Sequence, residues 1–372
     1  MNEILQRRDE SASASTHLVR ILFGCGLVST AQDTGYPAGL FADCPGMNRT
    51  TKLSEETKLS LSVVVFWPKS HIFEINEKKC NFGPDGAACI ASVLHFKRRK
   101  TQVLISGYLD ASFSPMARMV LDPYLKLGRN VIVMEIFPIL YRSYPIAARL
   151  TKPLGYLLGE LLAQLSHRGL SHKDMELLGG SLGAHIAYYA TVKYHQLTNR
   201  KPMRLTGLDP AGPCFRNLPP DDRFSESGAH MVDALHTNMD SFGLADTIGH
   251  VDIYANGGEY QQSMVNGFLL PCLTLCSHMR AAMYWVSALN NADKFLAIRC
   301  QSVTKARHGD CYDQKLETNV LGSNTDFNRP GIYYLPTNET DPYYIYKDAL
   351  VKRPYGPNAY LQKVSPDEDM II

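Results

Sequence analysis

The chain has 372 residues, of which 45% are hydrophobic and 20% charged, a composition typical of a globular protein with a full core. Its formal net charge of +2 gives no case for nucleic-acid binding. The length fits one large α/β domain or two small ones. The apolar run at residues 21–28 is too short to span a bilayer, so no transmembrane segment is expected.

The N-terminal segment has the features of a secretory signal. The apolar run is followed by small residues at 29–31, the pattern of a signal peptide with its cleavage site. Cleavage near Ala31 would leave eight of the nine cysteines, an even number that fits four disulfides in an oxidising compartment. Sequons at Asn48 and Asn338 are candidate glycosylation sites. We therefore expect a secreted, extracellular glycoprotein with a signal peptide at residues 1–31 and an N-terminal arm at residues 32–59.

Strands and helices alternate through the middle of the chain. The patterns predict strands at residues 60–67, 102–106, 130–135, 175–178, 204–209 and 231–235, and helices at residues 115–127, 153–168 and 184–195. Pro153 is expected in the first turn of its helix, where its missing N–H costs nothing. This alternation predicts a mostly parallel sheet with helices on both faces. The stretch at residues 341–372, rich in tyrosine and proline, is expected to form a C-terminal tail.

The segment at residues 177–185 contains G-x-S-x-G between an apolar strand end and a helix. This order is the sequence form of a nucleophile elbow, which holds a serine on a sharp turn between strand and helix. Glycines avoid collisions with the neighbouring backbone, and the following helix N-terminus favours an oxyanion. The motif predicts an α/β-hydrolase fold over residues 60–340, with Ser181 as the nucleophile of an esterase or lipase. A surface loop is the alternative interpretation of the same five letters.

A carboxylate that orients the base is expected after the serine. Asp209 closes a predicted strand 28 residues after Ser181 and precedes Pro210. The carboxyl end of a strand is the place where an open α/β sheet collects its functional groups. The alternative is an Asp-Pro pair that only begins a turn.

Twelve histidines compete for the role of general base. His278 is favoured because its segment is tethered by cysteines and follows the predicted strands. His236, at a strand end, is the nearest rival. His250 and His185 are expected to have structural roles.

Five motifs in one order carry a resemblance. They are GGSLGAH at residues 179–185, LTGLDPAGPCF at 205–215, VDALHTN at 232–238, GHVDIYANGG at 249–258 and CSHMRA at 276–281. Over residues 60–335 the chain resembles the animal pancreatic lipase family, and within it the secreted insect lipase and phospholipase A1 branch. The resemblance implies acyl transfer with Ser181 as nucleophile, Asp209 as acid and His278 as base. It also implies an oxyanion hole made by the backbone amides of Tyr108 and Leu182.

The chain departs from the family at several positions. Ser106 and Gly180 stand where family members usually have histidine, and neither change removes a triad group or an oxyanion amide. Both changes would alter packing around the oxyanion hole, with a lower rate or a narrower substrate range as the consequence. Pro220, Ser225 and Gly228 stand where the acidic ligands of the family's calcium site align. We therefore expect no metal and no cofactor.

The segment before His278 is short and apolar, and in the family it forms the lid. Its candidate substrate-binding residues are Phe268, Leu269, Leu270, Leu273 and Leu275. In the family, short loops here accompany phospholipase A1 activity. Docking on a lipid–water interface and simple packing over the sheet are both compatible with this segment.

The resemblance also bears on the cysteines. Cys300 and Cys311 look like a family disulfide pair, and Cys80 is expected to pair with Cys89. The pairing of Cys44, Cys214, Cys272 and Cys276 is open, since connectivity cannot be deduced from sequence. The chain ends before a lipid-binding β-sandwich domain, so no colipase partner is expected.

Two functions are compatible with these residues. The first is a secreted serine esterase that acts on glycerolipids or phospholipids, as a phospholipase A1 or a neutral lipase. The second is a non-enzymatic lipid-binding or yolk-type protein on the same fold. Loss of triad residues marks that second branch, and all three candidates are present here.

Overall fold

A computed structural model describes residues 44–352, except residues 48, 69–74, 266–267, 272–273 and 313–315. Within strand segments at 75, 262–265 and 268–271, the description is limited to the backbone. The predicted signal peptide, Asn48, Cys272, Leu273 and the last twenty residues of the predicted tail lie outside the described residues.

The described strands form one large sheet and one separate hairpin. Their bounds are β1 (Ser62–Pro68), β2 (Ile75–Asn81), β3 (Thr101–Ile105), β4 (Asn130–Glu135), β5 (Met175–Gly180), β6 (Arg204–Leu208), β7 (Met231–His236), β8 (Val251–Ala255), β9 (Gln262–Val265), β10 (Phe268–Pro271), β11 (Leu296–Cys300), β12 (Thr318–Val320) and β13 (Gly331–Leu335). The sheet has the strand order β12-β11-β13-β8-β7-β6-β5-β3-β4-β1-β2, and β9 pairs with β10 in a separate two-stranded sheet.

The centre of the sheet is parallel. Neighbouring strands from β13 to β4 all run in one direction, and antiparallel pairs border them on both sides. Such strands must be covered on both faces, and β4 accordingly carries an unbroken apolar run from Val131 to Met134. The predicted mostly parallel sheet of an α/β-hydrolase fold is confirmed.

Helices cover both faces of this sheet. Their bounds are α1 (Glu55–Ser60), α2 (Gly86–Ala91), α3 (Pro115–Lys126), α4 (Phe137–Leu140), α5 (Tyr144–His167), α6 (Leu182–Thr198), α7 (Thr274–Asn290) and α8 (Val303–Arg307). Leu177 of β5 packs in one buried cluster with α5 and α6. Its neighbour Leu178 points to the opposite face, into a second cluster with α3 and α7. Two hydrophobic cores therefore sandwich the sheet.

The helix predicted from residue 153 begins nine residues earlier, so this boundary was wrong. Helix α5 starts at Tyr144, and Pro145 rather than Pro153 occupies its first turn. Pro153 lies inside the helix. The helix continues because apolar residues along it, among them Leu150 and Leu154, are buried against the sheet and α6. Tertiary burial outweighs the helix-breaking tendency of one proline here.

The described disulfides include two local links and one long-range link. The expected pairs Cys300–Cys311 and Cys80–Cys89 are both present. A third disulfide joins Cys44, in the predicted N-terminal arm, to Cys214 in the loop after β6. Cys276 is also disulfide-bonded.

The described part of the predicted tail packs on the domain. Ile345 and Leu350 are buried against Ile298 of β11. One face of the sheet at β11 is therefore covered by chain that follows the last strand.

Candidate active site

Ser181 occupies the turn between β5 and α6. Its φ of 53° and ψ of −122° place it in a region that residues other than glycine rarely adopt. Its amide donates to the carbonyl oxygen of Leu208 at 3.0 Å, and its own carbonyl oxygen accepts from the Ala211 amide at 3.2 Å. Hydrogen bonds to the next strand and its loop therefore hold the strained turn in place.

Two of the elbow glycines are required by close backbone contact. A Cβ at Gly179 would collide with the carbonyl group of Gly183, and a Cβ at Gly183 would collide with the carbonyl oxygen of Ile105. The strand, the turn and the helix thus approach each other more closely than any side chain would allow. This is the steric arrangement that the motif predicts.

The two amides expected to form an oxyanion hole belong to two segments next to Ser181. Leu182 is the first residue of α6, so its N–H belongs to the helix N-terminus. Gly107 passes so close that a Cβ there would lie 2.9 Å from the Cβ of Ser181, and Tyr108 follows directly. The Tyr108 hydroxyl donates to the carbonyl oxygen of Arg142 at 2.8 Å, which fixes this loop.

Asp209 and His278 form a short hydrogen bond. The distance from His278 Nδ1 to Asp209 Oδ2 is 2.5 Å, and Asp209 is completely buried. Its other carboxylate oxygen accepts from the amides of Thr237 at 2.8 Å and Asn238 at 3.1 Å. Because both carboxylate oxygens are bonded, Asp209 has a fixed orientation and holds one tautomer of His278.

One pocket of about 610 Å³ brings these groups together. Ser181 and His278 both line it, together with Gly107, Tyr108 and Gly180. Four adjacent strands contribute one apolar side chain each to its floor: Leu104, Val133, Leu178 and Leu208. Helices α3 and α7 close the opposite side with Met116, Ala117, Val120, Ala281 and Ala282. The pocket therefore extends from the serine down between the sheet and two helices.

His236, the nearest rival for the base role, is fully buried at the end of β7. Its Nδ1 donates to the carbonyl oxygen of Leu244 at 2.9 Å, and its Nε2 lies 2.9 Å from Asp252 Oδ1. Burial opposes a charge on this ring, but the Asp252 carboxylate outweighs burial and raises the pKa of His236. With both ring nitrogens engaged, His236 has a structural role.

His185 is buried beneath the elbow. Its Nδ1 accepts from the Phe224 amide at 3.0 Å, so Nε2 carries the proton and donates to the carbonyl oxygen of Ala211 at 2.8 Å. The ring stacks on Phe215 at 3.6 Å. Burial lowers the pKa of His185 to about 3, and the ring is neutral. His250 likewise accepts a backbone amide, from Val232 at 3.0 Å.

The expected lid segment lies immediately before α7. Residues Phe268–Pro271 form β10, paired with β9 in a hairpin. Leu275, in the first turn of α7, lines the pocket and is 61% exposed, and Met279 one turn later is 38% exposed. The side chains of Phe268, Leu269 and Leu270 lie outside the described part of the chain, as does Leu273. A docking role for this segment stays a prediction.

An exposed aromatic cluster beside the pocket was not predicted from the sequence. Phe113, Phe137 and Tyr141 form this cluster, with ring centroids 6.3 and 5.7 Å apart along the row. Phe113 is 68% exposed. The Glu135 carboxylate accepts from the amides of Ser112 at 2.9 Å and Phe137 at 3.1 Å, and so joins the two segments. Its members come from two segments distant in sequence, the loop before α3 and the one-turn helix α4, so no single sequence pattern marks the cluster.

A buried ion-pair cluster behind the site was also missed. Arg307 is almost fully buried and pairs with Asp240 at 2.6 Å and with Glu259. Burial opposes the charge of the guanidinium, but the two carboxylates outweigh it and raise the pKa of Arg307. Asp240 lies two residues after Asn238, and Asn238 Nδ2 donates to the carbonyl oxygen of Glu259 at 3.0 Å. Arg307 thus connects the segment that holds Asp209 to the segment that leads into β9.

The stretch where the family's calcium site would align has other contacts. Asp222 pairs with Lys152 at 2.9 Å, while Asp221 is exposed. Among the described residues, no group of three or more histidine, cysteine, aspartate or glutamate side chains is placed to hold a metal ion. Across the residues that the structure describes, no helix is long and apolar enough to cross a bilayer.

The parallel sheet with its serine elbow defines the class of protein as an α/β hydrolase. A family model described as Lipase matches residues 72–343, which is more than half of the chain. The chain belongs to the pancreatic lipase family.

Several relatives show the same likeness. Lipase member H from Rattus norvegicus is 32% identical over 271 residues, which cover 67% of this chain and 58% of that protein. Lipase member H from Danio rerio is 32% identical over 217 residues, or 57% of this chain and 47% of the relative. Pancreatic lipase-related protein 2 from Mus musculus is 29% identical over 234 residues, with 58% and 48% covered. The chain spans about half the length of the curated relatives it matches.

Solved structures give a weaker likeness. A hydrolase of the alpha/beta superfamily from Xanthomonas campestris has a TM-score of 0.29 and 18% identity, and the match covers 37% of this chain and 71% of that one. An esterase from Pyrobaculum calidifontis has a TM-score of 0.25 and 11% identity, covering 51% and 66%.

Proposed function

We propose that this protein is a secreted serine esterase that hydrolyses carboxyl esters of glycerolipids through Ser181, His278 and Asp209. The observation that carries the proposal is the 2.5 Å hydrogen bond between His278 Nδ1 and Asp209 Oδ2, at a pocket that Ser181 also lines. Membership of the lipase family supports the same chemistry.

The first half-reaction transfers the acyl group to the enzyme. Ser181 Oγ attacks the ester carbonyl carbon while His278 Nε2 takes the hydroxyl proton. Buried Asp209 keeps the other imidazole proton on Nδ1 and stabilises the imidazolium. The tetrahedral intermediate then breaks its bond to the alcohol, which leaves with the proton from Nε2. An acyl-serine ester remains.

The second half-reaction releases the acid. A water molecule gives its proton to His278 Nε2 and attacks the acyl carbon. When the bond to Ser181 Oγ breaks, the serine regains that proton and the free fatty acid departs. Each half-reaction passes through an oxyanion, which the amides of Tyr108 and Leu182 would stabilise by about 3 kcal/mol each.

The surroundings of the pocket support a substrate at a lipid–water interface. Leu109, Leu275 and Met279 line the pocket and are exposed, and Phe113 of the exposed aromatic cluster lies on the loop that follows Tyr108. Apolar side chains around a pocket mouth favour contact with lipid aggregates. A phospholipid cleaved as by phospholipase A1, or a neutral glyceride, fits this setting, with the β9–β10 hairpin as a short lid.

The disulfides support the proposed location. Three described pairs, Cys44–Cys214, Cys80–Cys89 and Cys300–Cys311, require an oxidising compartment to persist. Asn338 is exposed, as a glycosylated asparagine must be. Together with the predicted signal peptide at residues 1–31, these features favour an extracellular enzyme.

A fluorophosphonate probe tests the proposal directly, because it bonds only to an activated serine. We expect stoichiometric labelling of the wild-type protein at Ser181 and no labelling of Ser181→Ala. Ser60→Ala is the matched control, because Ser60 is exposed and distant in sequence from Ser181. This variant should be labelled like the wild type. A wild-type protein that is not labelled would instead support the non-enzymatic lipid-binding function.

A further inference from the structure

We infer that Arg216 is a positioning residue for the triad, because it holds the loop segment that contacts both Asp209 and His278. This inference rests on the proposed function and adds a residue to its machinery. The sequence patterns did not single out Arg216, which comes directly after the motif at residues 205–215.

Residues 241–243, in the loop after β7, touch both the acid and the base of the proposed triad. Gly243 packs against the Asp209 carboxylate. The Phe242 ring meets the His278 ring in a T-shaped contact, with centroids 5.6 Å apart. A shift of this segment would therefore displace the acid and the base together.

Arg216 holds this segment from the neighbouring loop. Its Nη2 donates to the carbonyl oxygen of Ser241 and, at 3.1 Å, to that of Gly243. The guanidinium reaches these oxygens across Gly212, where a Cβ would stand 2.5 Å from Nη2. The loop after β6 is thus joined to the loop after β7 by the Arg216 side chain as well as by backbone hydrogen bonds.

The guanidinium of Arg216 also carries a positive charge into this loop contact. Its Nε and Nη1 are buried and meet no hydrogen-bond partner among the described residues. Burial lowers the pKa of Arg216, yet an arginine side chain stays charged in a protein. Arg204 and Arg307 are buried too, and each of them bonds to a carboxylate. In the described part of the chain, the charge of Arg216 is instead balanced at longer range.

The carboxylates that act on Arg216 most strongly are those of Asp240, Asp209 and Asp246. Asp240 and Asp246 each pair with an arginine of their own. Asp209 bonds to an imidazole and to two backbone amides. Asp209 is therefore the carboxylate whose negative charge Arg216 balances. The side chain that holds residues 241–243 thus also stabilises the buried charge of the acid.

Loss of Arg216 should slow the chemical step and leave substrate binding unchanged, because Arg216 is not one of the described residues that line the pocket. With 4-nitrophenyl butyrate, we expect kcat of Arg216→Met to fall about 10- to 100-fold, the usual cost of misplaced catalytic groups. KM should stay within about twofold of the wild type, since no ground-state contact is lost. Arg216→Lys keeps the charge and a donor, and should retain more of kcat. Arg216→Gln, neutral but with a donor, guards against a folding defect in Arg216→Met.

A spectroscopic signal separates positioning from a general loss of stability. The proton on His278 Nδ1 lies in the short hydrogen bond to Asp209, so it should resonate far downfield of the backbone amides in the proton NMR spectrum. We expect Arg216→Met and Arg216→Gln to shift or broaden this resonance, and Arg216→Lys to keep it. Arg98→Met is the control, because it removes the same charge from an exposed turn before β3, at the opposite edge of the sheet. It should keep both the resonance and kcat.

The NMR measurement also separates this inference from the proposed function, because the resonance does not depend on turnover. A wild-type resonance in Arg216→Met or Arg216→Gln would overturn the inference, whatever the value of kcat. Absence of the resonance from the wild type would overturn it as well, since Asp209 and His278 would not then be held together. If the wild type hydrolyses no ester but the resonance changes as expected, the proposed function fails and the positioning role of Arg216 stands.

Discussion

Gly243 lies directly against the carboxylate of Asp209. A Cβ at position 243 would stand 2.5 Å from Asp209 Oδ1, the oxygen that accepts the amides of Thr237 and Asn238. Gly243 is itself held by a hydrogen bond from its amide to the carbonyl oxygen of Asn238 at 2.8 Å. The loop after β7 therefore closes over Asp209 at a distance that only glycine permits.

Gly243→Ala is expected to displace the Asp209 carboxylate and weaken its hold on His278. We predict at least a tenfold fall in kcat with little change in KM, and a loss of about 1–3 kcal/mol in the free energy of unfolding. Ester hydrolysis and urea denaturation measure the two effects. Gly83→Ala serves as the control, and a wild-type kcat in Gly243→Ala would show that Asp209 tolerates displacement.

Asp209→Asn tests the role of the carboxylate with almost no change in shape. Asparagine can still accept the amides of Thr237 and Asn238, but its amide group would favour the wrong tautomer of His278. By analogy with the corresponding change in serine proteases, kcat should fall about 10⁴-fold. A thermal melt should show that the variant is folded. A fall of less than tenfold would remove Asp209 from the mechanism.

Local patterns were sufficient to predict much of the fold and the elbow. The strand before Ser181 and the helix after it are marked by short-range apolar spacing, and Gly179 and Gly183 reflect contacts within or next to the turn. Pro153 was misplaced because burial along α5 is a tertiary effect. The Cys44–Cys214 pair spans 170 residues, and no spacing rule reaches that far.

The support of the site was harder to predict than its central residues. Thr237 and Asn238 lie in a motif that carried the family resemblance, but they act through backbone amides, which any residue provides. Arg307 meets Asp240 and Glu259 across long stretches of sequence, and a lone arginine in a short helix gives no signal. The depth of the pocket depends on four strands and two helices at once.

Arg307→Gln should destabilise the protein strongly. It would leave Asp240 and Glu259, each 16% exposed, without their shared cation. Removing one partner of a buried ion pair typically costs about 3–5 kcal/mol, and urea denaturation measures the loss. Arg329→Gln, which breaks the exposed pair with Asp326, is the control and should cost far less, because solvent screens a surface ion pair. Equal losses of unfolding free energy in the two variants would show that the buried Arg307 cluster stabilises the protein no more than an exposed ion pair does.

His185 should make the free energy of unfolding depend on pH in the acidic range. Because burial lowers its pKa from 6.5 to about 3, the unfolded chain binds a proton below pH 6.5 that the folded protein rejects. The contribution of neutral His185 to the free energy of unfolding is therefore fully present above pH 6.5. It is lost as the pH falls toward 3, by at most about 1.4 kcal/mol per pH unit.

The matched variant for this effect is His185→Gln, whose side-chain amide can still donate to the carbonyl oxygen of Ala211. Urea denaturation at several pH values between 4 and 7 should give a shallower pH dependence for this variant than for the wild type. Identical slopes would show that His185 is protonated in the folded protein.

The most direct test of the central claim is hydrolysis of phosphatidylcholine and triolein by purified wild-type protein beside Ser181→Ala. We expect the wild type to release fatty acid from at least one of the two lipids. The rate for Ser181→Ala should be at least 10³-fold lower. Equal rates for the two proteins, or no release from either lipid by the wild type, would contradict the assignment of Ser181 as the nucleophile of a lipid esterase.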